Sequence, residues 1–364
     1  MKNVLLLAPL YGNGGIASWT KKFIKSFPNK EYGLIPVSVV ALAKNNDANI
    51  LERIYKGFSE IRAILYNVEC IFKSQKVDIL HTTTSGSLGS WRDLFVGRLC
   101  NKYKVKSIMH CRYGCIPLIL QRRGIGRWIM VKSMEQFNQV WVLDRKSFDA
   151  LYSIQSLKEK VRLTPNSIVV NPLDSIPAKP YKNYVFMANI LKTKGILELI
   201  EAFKKVEDKS IYLHILGPST PKMNEKMKVI SGDLWNNRIK YYGRMENDAT
   251  IEFLKSMDVM VLPTYYSGEA FPISILEAMS NGKLVISTPR AAIGDMLTCV
   301  DGSRCGILVD EKSINQLVDA INWVCEHKTE ADNLCKKAYE KVLNAYSTDV
   351  VYGIYRKNYS ELFN

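Results

Sequence analysis

In the stretch GEAFPISILEAMSNGKLVIST, residues 268–288, two carboxylates stand eight positions apart: Glu269 ahead of a proline-led helix and Glu277 inside it. An ionised carboxylate only accepts hydrogen bonds, so it takes up the hydroxyls of a sugar or ribose and repels a bare phosphate. A phosphate suits the start of a helix, where backbone N–H groups lack partners and the dipole is positive. The preceding run DVMVLPT, 258–264, reads as a buried strand, which puts residues 264–271 in the loop at its carboxyl end. Pro272 suits the first helical turn and Gly282 the position just past the helix end. Carboxylates beside an anion site point to a ligand with both hydroxyls and phosphates, a nucleotide-linked sugar. Alone, either glutamate is as readily a solvated surface charge, and the surroundings decide.

The elements that would position this pair repeat along the chain. In the first half NVLLLAPL reads as a strand, GIASWTKKFIKSF as a helix and YGLIPVSVVAL as a strand. Leu51, Ile54, Phe58, Ile61, Leu65, Val68 and Phe72 then recur at helical spacing, predicting a long helix with one core-facing stripe. VDILHTTT, a helix near 90–101, KSIMHC, a basic segment and QVWVLD follow. The stretch LTPNSIVVNPLDSIPAKPYKN carries four prolines and reads as a linker. The alternation restarts with NYVFMAN, GILELIEAFKKV, IYLHILGP, IKYYGR, ATIEFLKSM, DVMVLPT, the quoted helix, KLVIST and INQLVDAINWVCEH, and ends on the amphipathic TDVVYGIYRKNYSELF. Strands alternating with helices predict an α/β protein: parallel sheets covered on both faces, two in tandem.

A chain of 364 residues suits two domains, and a hydrophobic content of 47% suits a globular protein. No apolar run reaches the ~18–20 residues that cross a bilayer. The opening MKNVLLLAPLYGNGG passes straight into a glycine loop without a small-residue cleavage pattern, so it reads as a strand of a cytoplasmic protein. Cysteines 70, 100, 111, 115, 299, 305, 325 and 335 form no CxxC pair, and histidines 81, 110, 214 and 327 no HExxH, which argues for reduced structural thiols and against zinc. The charge is lopsided. Residues 1–180 hold 27 Lys and Arg against 12 Asp and Glu, whereas residues 181–364 hold 23 of each. The whole excess of +15 lies in the first half, whose partner should be anionic: a membrane surface, a phosphorylated substrate or a nucleic acid.

The E-x7-E spacing followed by AMSNGKLVIS resembles the donor-binding signature of retaining GT-B glycosyltransferases of the family 4 type, the glycosyl transferases group 1. YGNGGIASWT is similar to the glycine loop of that family's first domain, and MANILKTKGILELIEAF to the strand–loop–helix that opens its second. LTPNSIV resembles the interdomain turn, and the last Tyr-rich helix the one that returns to the first domain. The resemblance implies two Rossmann-like doubly wound domains facing a central cleft. An acceptor-binding domain would cover 1–168 with the helix at about 349–364, a linker 169–182, and a nucleotide-sugar domain 183–348. Carried over, it makes Glu269, His110 and Lys194 the catalytic candidates. Glu269 would hold hydroxyls of the transferred sugar with the backbone of Ala270, Phe271, Pro272 and Ile273, of which Pro272 has no N–H to give. Glu277 would hold the ribose, Lys194 the diphosphate, and the Gly14–Gly15 backbone would let it approach. His110 would face the sugar, and Gly243, Arg244 and Met245 the base. The family often has arginine where this chain has Asn189, with Lys192 a substitute, and glycine where Ser167 follows Asn166. The implied reaction is hexosyl transfer with retention, from a UDP- or GDP-linked donor to a glycan or polyprenyl-diphosphate-linked acceptor in bacterial surface polysaccharide synthesis (O-antigen, capsule or exopolysaccharide). No Asp-x-Asp occurs in the chain, so neither a metal nor another cofactor is expected.

The segment LQRRGIGRWIMVKSM, 120–134, mixes Arg122, Arg123, Arg127 and Trp128 with apolar residues, a pattern that suits an anionic bilayer and equally a solvated helix with one buried face. The first reading would place the protein peripherally on the inner face of the membrane. Arg112 is a candidate for an acceptor phosphate, and His81 either a structural residue or a lining of the acceptor site. Two rival functions remain. GNGGIA, 12–17, matches a dinucleotide fingerprint, but VSVVALAKNND offers no acidic residue at the end of the second strand before Asp47. A membrane- or nucleic-acid-binding α/β protein without transferase activity would use the basic half and have no use for E-x7-E. A transferase calls for no nucleic acid.

Overall fold

A computed structural model describes residues 1–12, 15–27, 31–39, 50–86, 89–173, 176 and 178–364, without the side chains of 50–54 and 247. The chain divides into two compact units, Met1–Thr164 with Ile354–Asn364, and Pro165–Gly353. Residues 165–168 and 349–353, read from the sequence as part of the first domain, group with the second unit, as does the proline-rich 169–182.

The first unit runs β1 (Lys2–Ala8), α1 (Gly15–Ser26), β2 (Tyr32–Ser38), α2 (Ile50–Ser74), β3 (Ile79–Thr84), α3 (Gly89–Tyr103), β4 (Lys106–Cys111), α4 (Ile116–Gln121), α5 (Ile125–Glu135), β5 (Gln139–Val142), α6 (Arg145–Tyr152) and β6 (Val161–Leu163). Its six strands are parallel in the order β2-β1-β3-β4-β5-β6. Val4 to Ala8 are fully buried, as a strand covered on both faces requires. Pro36 is tolerated in β2 because that strand is the sheet's edge, where a missing N–H breaks no interior ladder.

The second unit runs β7 (Asn183–Met187), α7 (Ile196–Lys205), β8 (Tyr212–Leu216), α8 (Pro221–Ser231), β9 (Ile239–Gly243), α9 (Asn247–Lys255), β10 (Val259–Leu262), α10 (Ile273–Ser280), β11 (Leu284–Ser287), α11 (Ile293–Met296), β12 (Ile307–Leu308), α12 (Ile314–Glu326) and α13 (Lys328–Lys341). A π-helical turn, Val342–Tyr346, leads into α14 (Thr348–Glu361), whose residues from Ile354 on belong to the first unit. The second sheet is also parallel, in the order β12-β11-β10-β7-β8-β9.

In each sheet the chain starts on an interior strand and reverses direction once. The reversal falls between β1 and β3 in the first unit and between β7 and β10 in the second. At such a switch point the loops leaving the two strands diverge, and the carboxyl edge opens into a crevice where ligands bind.

The stripe expected along α2 is only partly buried. Val68 is in the core and Ile61, Leu65 and Phe72 are half-buried, but Phe58 is exposed, and Ile64, outside the expected set, is buried instead. Leu51 and Ile54 lie among the residues whose side chains are not described. The alternation missed α6, α8, α11, β6, β12 and α13, which are short, polar or both.

Candidate functional site

The second unit's switch point carries the polar side chains singled out by the sequence. The loop leaving β7 makes a single 3₁₀ turn, Lys192–Lys194, closed by Gly195 at φ +80°. A Cβ on Gly195 would fall 2.1 Å from the carbonyl oxygen of Pro263, so only glycine lets this loop press against the end of β10. Tyr265 N–H donates to the Thr193 carbonyl at 2.8 Å, tying the two loops together. Gly195→Ala is expected to cost more than about 2 kcal/mol, since the methyl meets backbone and the conformation is strained. Urea unfolding of the variant checks this.

Across that contact Lys194 Nζ donates to Glu269 Oε2 at 2.6 Å, with both side chains largely buried. The Thr264 hydroxyl lies 3.1 Å from the same oxygen and 3.4 Å from the Thr193 carbonyl. Its one proton serves one acceptor at a time, and the nearer, charged oxygen is the stronger. Tyr266 N–H donates to the Thr264 oxygen, and its ring lies 5.1 Å from Lys194 Nζ. Thr264 was not singled out in the sequence; its place at the carboxyl end of β10, five residues before Glu269, is the signal that could have found it.

The loop before α10 is held firmly. Asn166 Nδ2 donates to the Phe271 carbonyl at 2.8 Å, Ala292 N–H donates to the Ala270 carbonyl at 3.0 Å, and the Phe271 ring meets Tyr346 edge-on. Asn166, in the stretch read from the sequence as resembling an interdomain turn, thus clamps this loop. Pro272 is the N-cap of α10 rather than its first helical residue, and Gly282, at φ +62°, lies two residues past the helix end. Neither α10 nor α7 receives a hydrogen bond from a capping side chain, whereas Thr220 caps α8 and Ser313 caps α12. The two helices that start at the switch point therefore keep their first-turn N–H groups clear of a side-chain cap. Ile273 opens α10, and Glu277 stands half-buried just over a turn into it.

Further along the same edge, Asn189 and Lys192 are exposed beside β7. Gly243, at φ +71°, ends β9, with its carbonyl accepting from Gly217 N–H; Arg244 is exposed and Met245 half-buried. β9 lies two strands from β7, about 10 Å away. A second cation was missed: Arg290, after β11, donates to the Tyr266 carbonyl at 3.3 Å and pairs with Glu311.

In the first unit two of the expected site residues lie in the core. His110, expected to face a sugar, is fully buried at the end of β4, packed by Trp19, Trp141 and Tyr355. Arg112, expected to meet an acceptor phosphate, is buried as well, with its guanidinium 4.2 Å from the centre of the Trp19 ring. Together with His81 they form a relay into α14. Arg112 Nη1 lies 3.3 Å from His110 Nε2, His110 Nδ1 lies 3.2 Å from His81 Nε2, and His81 Nδ1 lies 2.6 Å from the Tyr359 hydroxyl. A guanidinium only donates, so His110 Nε2 accepts. In neutral rings the direction then propagates: His110 Nδ1–H donates to His81 Nε2, and His81 Nδ1–H donates to the Tyr359 oxygen. Burial, reinforced by Arg112, pushes His81 down to about 3 and His110 well below its ordinary range, so both are neutral at neutral pH. Burial also lowers Arg112 to about 10, and a bond to Tyr355 opposes that shift. His81 is structural, the first of its two readings. Gly14 lies outside the described residues. Gly15 opens α1, and a Cβ there would meet no protein atom within 4 Å. β2 ends at Ser38, without the acidic residue a dinucleotide site needs. Arg122, Arg123, Arg127 and Trp128 are all exposed.

Residues 174–341 match the family model of glycosyl transferases group 1. The N,N'-diacetylbacillosaminyl-diphospho-undecaprenol alpha-1,3-N-acetylgalactosaminyltransferase of Campylobacter jejuni is 26% identical over 49% of this chain, which spans only 44% of that enzyme. An uncharacterized 41.2 kDa protein in the cps region of Klebsiella pneumoniae is 20% identical over 85% of this chain and 86% of its own length. The crystal structure of Anabaena HepE in complex with UDP and glucose superposes with a TM-score of 0.74 over 99% of this chain and 100% of that one, at 12% identity. The chain therefore has the fold of GT-B glycosyltransferases, and its second unit carries the sequence pattern of glycosyl transferases group 1.

Proposed function

We propose that this protein is a retaining, metal-independent glycosyltransferase that moves a sugar from a nucleotide diphosphate to a glycan or lipid-linked acceptor in surface polysaccharide synthesis. The observation that carries the reading is the Lys194–Glu269 pair across the switch point between β7 and β10, beside two helix starts without side-chain caps. In the reaction the bond between the anomeric carbon and the diphosphate oxygen breaks. An acceptor hydroxyl oxygen bonds to that carbon, and its proton passes to the departing diphosphate. Negative charge grows on the diphosphate, where Lys194 and the first-turn N–H groups of α7 and α10 would already be aimed. Glu269 would accept hydroxyls of the transferred sugar and Glu277 those of the ribose. Lys192, beside Lys194 on the same loop, and Arg290, bonded to the Tyr266 carbonyl, would take the place of the arginine replaced by Asn189. Retention rests on the family pattern, and metal independence on the lack of Asp-x-Asp together with these cations.

The nature of the acceptor is supported by the Campylobacter relative, whose name describes an undecaprenol-diphosphate-linked substrate, and by the cps-region relative. HepE, crystallised with UDP and glucose, makes UDP the first nucleotide to try. The test is a thermal-shift panel of UDP, GDP, ADP and CMP, each with and without EDTA. One diphosphate should raise the melting temperature by mass action, equally in EDTA, by about 2.7 kcal/mol of stability at a hundred times its dissociation constant. A shift abolished by EDTA would overturn metal independence, and no shift with any nucleotide would overturn the donor site.

A further inference from the structure

We propose that the turn between α4 and α5 docks the first unit onto an anionic lipid bilayer. Every residue from Gln121 to Trp128 is exposed. Within this run Ile125 is 70% exposed and Trp128 51%, while Leu118, a turn earlier in α4, is 39% exposed. Arg122, Arg123 and Arg127 stand among them. The buried face of α5 begins only at Ile129 and Met130, so its first turn stands clear of the core. Ile125 and Trp128 form an apolar tip among Arg122, Arg123 and Arg127, and at the next four-residue step stands Lys132, paired with Glu135. That order matches the passage from acyl chains to headgroups across a membrane interface, where an indole is at home. Trp128 rests against Trp91 at 6.4 Å, which limits its rotamers.

Charge complementarity selects the partner. No carboxylate occurs between Asp93 and Glu135, while that stretch holds nine Lys and Arg, of which only Arg112 is buried. A nucleic acid would be served by the arginines and would gain nothing from Ile125. The inference goes beyond the transferase reading and does not depend on it.

The test is co-sedimentation of the full chain with phosphatidylglycerol vesicles and with phosphatidylcholine vesicles. The protein should sediment with the first and far less with the second. Arg122→Glu, Arg123→Glu and Arg127→Glu together should weaken binding by on the order of a hundredfold, since each cation near an anionic surface contributes about fivefold. Ile125→Ser with Trp128→Ser should still bind at low salt but be released once salt screens the arginines. All these side chains are exposed, so an unchanged melting temperature and nucleotide shift will show that the variants are folded. Wild-type protein that ignores phosphatidylglycerol, or variants that bind like wild type, would overturn the proposal. So would preferential binding of a DNA duplex that is indifferent to Ile125 and Trp128. Glu269→Ala should sediment like wild type, which separates failure here from failure of the donor site.

Discussion

Glu269→Ala is expected to lower sugar transfer by at least about a hundredfold and to destabilise the second unit in the same step. The two losses have separate origins. On the proposed function, the catalytic one removes the acceptor for the sugar's hydroxyls, together with the group bonded to Lys194. The structural one follows from burial: Lys194 is 13% exposed at its side chain and Glu269 8%, so truncation leaves an ammonium largely shut off from water and without its partner. Breaking such a pair costs about 3 kcal/mol, a fall of about 10 °C in melting temperature for a unit of this size. Removing both charges offsets most of that loss. Lys194→Met with Glu269→Leu fills the space with apolar groups and should recover most of the stability while leaving transfer dead. Glu269→Gln should stay folded, because its amide oxygen still accepts from Lys194 and Thr264. Urea unfolding and single-turnover transfer on these variants decide the matter. A Glu269→Ala protein that transfers at the wild-type rate would remove this carboxylate from the mechanism.

Acidification from pH 6.5 to pH 5 is expected to cost the first unit about 2 kcal/mol for each of its two buried histidines. His81 is held near 3 when folded, against 6.5 in an open chain, and His110 is pushed down further by burial and by Arg112 and His81. Between those limits the unfolded chain binds the extra protons. The stability these rings contribute is therefore whole above pH 6.5 and is lost as pH falls toward their folded values. Protonating either ring also breaks the relay, because His110 Nε2 accepts from Arg112 and His81 Nε2 accepts from His110. Most carboxylates titrate lower, which makes this window diagnostic. His214 in the second unit is also lowered by burial, so the assignment needs variants. His81→Gln should roughly halve the slope, whatever its effect on stability at neutral pH. A stability that stays flat from pH 7 to 5 would contradict the buried neutral pair.

The fold was legible wherever burial leaves a strong period. β1 and β10 carry uninterrupted apolar runs, and α7 and α12 carry amphipathic stripes, so their places could be read directly. β6 and β12, of three and two residues, and the polar α8 and α13 carry too little pattern to register. In the site, Glu269 drew notice as a carboxylate in the loop ahead of a proline-led helix, and Lys194 only through the resemblance of its stretch to a known family. That they meet each other was not legible, since it depends on β7 and β10 being neighbours across a sequence gap of about seventy residues. The burial of His110 and Arg112 was not legible for a related reason. Whether a strand-end side chain meets solvent depends on what covers it, and here Trp19, Tyr355 and Tyr359 come from α1 and α14, remote in sequence.

The placement of α14 has a consequence for biosynthesis. Tyr355 and Tyr359 complete the relay of the first unit, yet they are translated about 190 residues after β6 closes its sheet. At ribosomal speeds of about 5–20 residues per second, the six strands wait roughly 10–40 seconds with His81 and Trp141 unsealed, while the entire second unit is made. During that interval the nascent first unit presents an aromatic cleft to chaperones, and its last wall arrives only after nearly all of the second unit has been made.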